Sequence, residues 1–233
     1  MLFYIFAGTS VGFAQSVVVT PKKVVYRRPN PKQEYRSSFT VTYPKVKAAT
    51  PALSRKIERA ISYEKNNYFN LKEEMGDIQW LEEAGYEVIY NKKGLLGIKL
   101  FSEGSAAYPT SIIKEVVVDL KTGKRVAPTD VFINLEGLAT RAAELQQTEI
   151  KDAVAAGKKD LPGENFDNLF EGKNFTVENL NEFSVSDQGV TFIYDYQFPH
   201  VVQALQPSGT FFFSWAELKP FIKRGGLFGK FIR

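Results

Sequence analysis

In three stretches of this chain, large side chains that favour burial recur at every second residue, with turn formers closing the run or lying close beyond it. Phe39, Val41 and Tyr43 alternate with Ser38, Thr40 and Thr42. Tyr86, Val88 and Tyr90 lead into Asn91-Lys92-Lys93-Gly94, and Val190, Phe192, Tyr194 and Tyr196 give the cleanest alternation. A period of two sends successive side chains to opposite faces of a strand, so each stretch predicts a half-buried strand and the set predicts a sheet. Further strands are expected at Leu95 to Phe101, Ile112 to Leu120, Phe183 to Val185 and Thr210 to Phe213. The turns Lys121-Thr122-Gly123-Lys124 and Ser186-Asp187-Gln188-Gly189 fall between them.

Helical spacing punctuates the strands. Thr50-Pro51 reads as N-cap and first helical residue, followed by an apolar face of Leu53, Ile57, Ala60 and Ile61. Leu138, Ala142, Leu145, Ile150, Ala153 and Val154 predict a long amphipathic helix over 135–155. Ser214 with Glu217 three residues on is a capping box, and Pro220 keeps the helix it starts short. Residues 64–84 are polar and mixed, helical or irregular. The expected fold class is α+β: antiparallel sheet with helices packed on one face, in two small subdomains. Its divisions are 1–14 signal peptide, 15–34 N-terminal strand and Pro- and Lys/Arg-rich linker, 35–105 N-terminal subdomain, 106–225 C-terminal domain and 226–233 basic tail.

The first charged side chain is Lys22, and LFYIFAGTSV from Leu2 to Val11 is apolar or small throughout. Gly12 and Ala14 then stand two apart, the pattern a signal peptidase accepts, so cleavage is expected before Gln15 and the protein is expected to be exported, periplasmic or secreted. No basic residue precedes the run, which points to a start placed too late or to a weak signal. A buried first strand or helix is the alternative. The run is shorter than the ~20 residues that span a bilayer, and no integral membrane segment is expected after cleavage. The basic tail (KPFIKRGGLFGKFIR) could rest on an anionic surface, or fold its apolar residues back on the core.

Catalytic chemistry has little to work with. The chain has no cysteine, which removes thiol catalysis and Cys-ligated metal, and one histidine, His200. No GxxxxGK[ST] or GxGxxG motif occurs. No cofactor, metal or nucleic-acid partner is expected, and the protein is not expected to be an enzyme. Glu73-Glu74 and Glu82-Glu83 are carboxylate pairs, either catalytic or solvated. Asp195 lies between Tyr194 and Tyr196, on the opposite face of an alternating strand, where a solvent-facing role competes with a functional one. His200, just beyond, suits a surface role or a pH-sensing one.

Several segments, taken in order, resemble a bacterial extracytoplasmic domain of unknown function, the one forming the extracellular part of the RsiV anti-sigma factor and the non-catalytic region of the deacetylase PdaC. They are Val116-Val117-Val118-Asp119-Leu120-Lys121-Thr122-Gly123-Lys124 with Asp130-Val131-Phe132, Gly189 to Tyr196, and Ser214 to Leu218 with Pro220. Tyr43-Pro44-Lys45-Val46 with the Ile57 to Ile61 helix is similar to the companion domain that usually precedes it, so the resemblance covers about residues 35–222. It implies an α+β fold outside the cytoplasmic membrane, no established catalytic residues and, as in RsiV, binding of lysozyme. No spanning helix or sigma-binding segment is expected in this chain, so signal transduction in the manner of RsiV is not expected either. Where many relatives carry glycine-glycine-alanine-histidine, this chain has Gly104-Ser105-Ala106-Ala107-Tyr108-Pro109.

The expected function is a non-catalytic envelope binding or sensing protein, with a lysozyme-like protein or peptidoglycan as ligand. A carboxylate-dependent cell-wall hydrolase and a purely structural envelope protein are the alternatives. The loops Glu103 to Thr110 and Gln197 to Ser208 are the candidate contact regions, and Tyr108, Pro109, Asp195 and His200 the candidate binding residues.

Overall fold

The computed structural model describes residues 16–32, 35–66, 70–76, 78–105, 108–160 and 166–232. The expected signal segment and its expected cleavage site, Ala106-Ala107 and Pro162-Gly163 lie outside the described residues.

Six strands form one sheet in chain order: β1 (Val18–Arg27), β2 (Ser38–Lys47), β3 (Leu81–Lys92), β4 (Leu95–Ser105), β5 (Pro109–Asp119) and β6 (Lys124–Arg125). All neighbours are antiparallel except β2 and β3, which run parallel. That single parallel step needs a crossover, supplied by α1 (Pro51–Ala60) and α2 (Leu71–Met75). The Thr50 hydroxyl caps α1, accepting from Leu53 N–H at 3.1 Å. After β6 come α3 (Pro128–Val131) and α4 (Leu135–Asp160), then a second sheet of β7 (Phe183–Val185), β8 (Gly189–Ile193) and β9 (Thr210–Ser214), and α5 (Trp215–Leu218).

The fold is α+β, with helices beyond both faces of the large sheet instead of one. Leu96, Ile98, Leu100, Val116 and Val118 pack with Ile57, Ala60 and Ile61 of α1. The alternate residues Leu95 and Val117 point the other way, into a core with Leu138 and Ala142 of α4 and the second sheet. Strands buried on both faces explain the unbroken apolar runs Leu95-Leu96 and Val116-Val117-Val118. Phenylalanine fills the second core: the Phe132 ring meets Phe192 at 5.9 Å and Phe228 at 5.6 Å, in tilted and edge-on contacts.

Three local readings change. The stretch read as a linker runs on as strand to Arg27, pairing all ten residues of β1 with β2. Pro21 is tolerated because β1 is an edge strand, and Lys22 and Lys23 keep that edge from recruiting another chain. The expected 105/106 boundary falls at the tip of the β4–β5 hairpin, whose eleven paired positions join both halves in one sheet. Tyr90 does not share a face with Val88. Two residues, Ile89 and Tyr90, stand opposite Gly97, and this bulge turns Tyr90 into the second core. A Cβ at Gly97 would lie 3.0 Å from Tyr90 Cβ, so glycine makes room for the bulge.

The β3–β4 turn is Lys93-Gly94, with φ of +53° and +70°, the mirror-image turn that matches strand twist. The C-terminal tail folds back: Phe228 is buried, and Phe231 stacks on Trp215 at 4.2 Å.

Candidate functional site

At the end of the large sheet away from that turn, β2, β3, β4 and β5 open into a groove of about 830 Å³. A ladder of polar residues crosses it in register: Thr40 beside Glu83, Glu83 beside Glu103, Glu103 beside Ser111. Ser38, Ser105 and Thr110 add hydroxyls, and Arg36 pairs with Glu82 at 2.6 Å on the rim. Direct cross-strand neighbours have Cβ atoms roughly 5 Å apart, so Glu83 and Glu103 are like charges held side by side at some cost to the sheet. Among the described residues no cluster of three or more acidic or histidine side chains could hold a metal ion.

The walls are pinned from beneath by a residue that composition placed in a linker. The Arg28 side chain is fully buried and its partner Glu74 is 2% exposed, with Nη2 donating to Glu74 Oε2 at 3.0 Å. Its remaining donors reach backbone carbonyls: Nη1 to Arg36 at 2.6 Å, Nε to Glu74 at 3.0 Å, Nη2 to Leu81 at 2.8 Å. The guanidinium also sits 4.7 Å from the Phe39 ring centroid. One side chain thereby fixes the chain entering β2 and the start of β3, on both sides of the groove. Arginine followed by Arg-Pro-Asn-Pro resembles a solvated linker, and partners 46 residues away leave no local signal.

Pro109 begins the strand that closes the groove and lines it, and Tyr108 stands just before it. The Tyr108 ring stacks on His200 at 4.3 Å with planes 22° apart. The two loops singled out by sequence therefore meet. His200 starts a two-turn 3₁₀ segment, His200–Leu205, carried on an arm from Tyr194 to Gly209. β8 ends at Ile193, so Asp195 is not on an alternating strand. The backbone turns at Gln197 (φ +51°), and Asp195 Oδ1 accepts the Gln197 N–H at 2.9 Å. Asp195 shapes this turn and does not line the groove.

Glu149 of α4 holds the arm's base. Its carboxylate accepts from the Tyr196 hydroxyl at 2.8 Å, the Ser208 hydroxyl at 2.7 Å and Gly209 N–H at 3.1 Å. Burial, reinforced by this carboxylate, drives the Tyr196 pKa up and keeps the phenol a donor. Phe198 is buried beside Phe170, 5.2 Å between centroids. Beyond these anchors the arm is bare: Val201 is 88% exposed, and Tyr108 is 59% exposed. A polar groove with an aromatic pair close to one wall suits a ligand rich in hydroxyl or amide groups that also offers a flat face for stacking.

No family model matches the chain, and no curated protein is similar to it. Two solved structures are. A DUF3298 family member from Bacteroides fragilis superposes with a TM-score of 0.55 at 12% identity, covering 94% of this chain and 98% of its own. A DUF3298 family protein from Pseudomonas aeruginosa PAO1 gives 0.53 at 15%, covering 90% and 95%. At these identities the likeness establishes a shared fold over nearly the whole chain, that of a domain of unknown function.

Proposed function

We propose that this protein is a non-catalytic binding protein of the cell envelope, which takes a cell-wall glycan in the groove and against the Tyr108–His200 pair. The observation that carries the reading is the stack itself: it joins two loops, distant in sequence, beside a groove lined by hydroxyls and carboxylates. Sugar rings suit such a surface, with hydroxyls for the groove and C–H faces for the rings. The apolar N-terminal run and the sequence resemblance to the RsiV-type extracytoplasmic domain support the compartment. That resemblance also makes a lysozyme-like protein the competing ligand.

Biolayer interferometry with soluble peptidoglycan fragments, and separately with lysozyme, tests the reading. Glycan binding that falls about tenfold in both Tyr108→Ala and His200→Ala supports it, that being the size of a good aromatic contact. Glycan binding indifferent to both substitutions, or binding of lysozyme alone, sinks it.

The adjacent Glu83 and Glu103 favour a second reading, carboxylate-assisted cleavage of the same polymer. Released reducing ends that disappear in Glu83→Gln and Glu103→Gln would select it over simple retention.

A further inference from the structure

The two ends of the large sheet differ in charge, and the end away from the groove is built from contiguous cationic turns. The β3–β4 turn brings Lys92 and Lys93, and the β5–β6 turn brings Lys121 and Lys124. Leu120 N–H donates to Gly94 O at 2.9 Å, so the two turns lie side by side. On one flank, Gly123 sits so close to α1 that an added Cβ would come 2.8 Å from Lys56 Cβ, which brings Lys56 alongside. On the other flank, the Lys230 ammonium donates to Lys93 O. The ammonium groups of Lys93 and Lys230 lie 4.7 and 5.6 Å from the Phe231 ring centroid. All six lysines are exposed. Two carboxylates offset them: Asp187, paired with Lys92 and Lys93, and Asp119, turned to Lys121 N–H and the Thr122 hydroxyl. Partial desolvation foremost, with Lys93 adding and Asp119 opposing, holds Lys230 below the ordinary lysine range.

We propose that this end of the molecule docks on the surface of an anionic phospholipid bilayer, with the groove and the Tyr108–His200 pair facing away from it. The cations stand on separate turn tips and on a helix flank, so they do not converge on one phosphate. Laid against a charged plane, each meets a different headgroup and contributes roughly a fivefold gain in partitioning. Lysine suits this use, being a strongly hydrated point charge that needs no fixed geometry. Phe231, half-buried among the ammonium groups, adds apolar surface at the same place. Eleven residues of β4 at ~3.4 Å each put the groove roughly 35 Å from the bilayer, open to the surroundings. The inference is independent of which ligand the groove takes.

Co-sedimentation of the purified protein with phosphatidylcholine vesicles, with and without phosphatidylglycerol, tests it. Partitioning is expected on the anionic vesicles only, weakening as salt rises. The triple variant Lys56→Gln, Lys93→Gln, Lys124→Gln is expected to lose on the order of 100-fold in partitioning. Lys→Arg at the same three positions should retain binding, and Lys22→Gln, Lys23→Gln, Arg27→Gln along the β1 edge should change it little. The proposal is overturned by equal binding to neutral vesicles, or by an equal loss in the β-edge triple. Binding to soluble polyphosphate with none to anionic vesicles would overturn it too.

Discussion

The Tyr196 hydroxyl donates to Glu149 Oε2 at 2.8 Å, tying the base of the His200 arm to α4 across 47 residues of sequence. The same carboxylate takes Ser208 and Gly209 through its other oxygen, so both ends of the arm close on one side chain. Glu149→Ala removes the acceptor of all three bonds and leaves a buried phenol without its acceptor. A loss of about 2–3 kcal/mol is expected, since hydrogen bonds to a charged group are the stronger class. Hydrogen exchange should rise at Gly209 and through His200–Leu205 while β3 and β4 stay protected. Uniform change across the protein would contradict the anchoring role.

Arg28 and Glu74 form a buried pair whose Arg28 member also serves three backbone carbonyls. Arg28→Met strands the Glu74 carboxylate and those carbonyls, for an expected loss of about 3–5 kcal/mol in urea unfolding. Replacing both residues with apolar ones often restores stability at a buried ion pair. Here recovery should be partial, because Leu81 N–H, which donates to Glu74 Oε2 at 2.9 Å, and the three carbonyls stay unsatisfied. Full recovery in Arg28→Met, Glu74→Leu would show that the backbone bonds contribute little.

Gly104 sits at the groove with no room for a side chain: a Cβ would stand 2.0 Å from Trp80 O and 2.5 Å from its ring. Trp80 O accepts the neighbouring Ser105 N–H at 3.0 Å, so neither backbone can retreat without breaking that bond. Gly104→Ala is expected to destabilise by about 1–3 kcal/mol, the range for overpacking. Tryptophan fluorescence should shift in the folded state, reporting displacement of Trp80. A neutral melting temperature and an unchanged spectrum would refute the close approach.

Features written in neighbouring residues were legible in the sequence. Thr50-Pro51 and Ser214 with Glu217 cap the helices they announce, since each cap joins groups three residues apart. The features that escaped depend on a distant partner. Tyr90 changes face because Gly97 on the next strand leaves space for a bulge. Arg28 is buried because α2 brings it a carboxylate, and nothing within β1 records that. Tyr196 fits a strand pattern, yet Glu149 and Phe170 bury it off the end of β8. Tyr108, Pro109 and His200 could each be named from loop position, whereas their meeting is a product of packing between the two sheets. The groove came least from sequence, because Glu83, Glu103 and Ser111 become neighbours only through strand register.

Asp187 sits in the β7–β8 turn and clamps it to the β3–β4 hairpin, accepting from Tyr90 at 3.3 Å and pairing with Lys92 and Lys93. The hydrogen bond from Lys92 is the main reason its carboxyl is held below the ordinary aspartate range; partial desolvation opposes it, and the charges of Lys92 and Lys93 add to the lowering. A depressed folded pKa stabilises above the unfolded value and stops doing so as pH falls through the folded one. The clamp should therefore be complete above about pH 5 and fade below about pH 4, the ordinary aspartate value. Thermal melts of the wild type should fall more steeply over this window than those of Asp187→Asn, which cannot titrate. The gap between the two at neutral pH should narrow in high salt, because the group is exposed. Parallel pH profiles for the two proteins would mean that the carboxylate is solvated in the folded state and that the two hairpins are held by the shared hydrophobic core instead, with Trp215 Nε1, which donates to the Asp187 carbonyl at 2.9 Å, fixing the β7–β8 turn on α5.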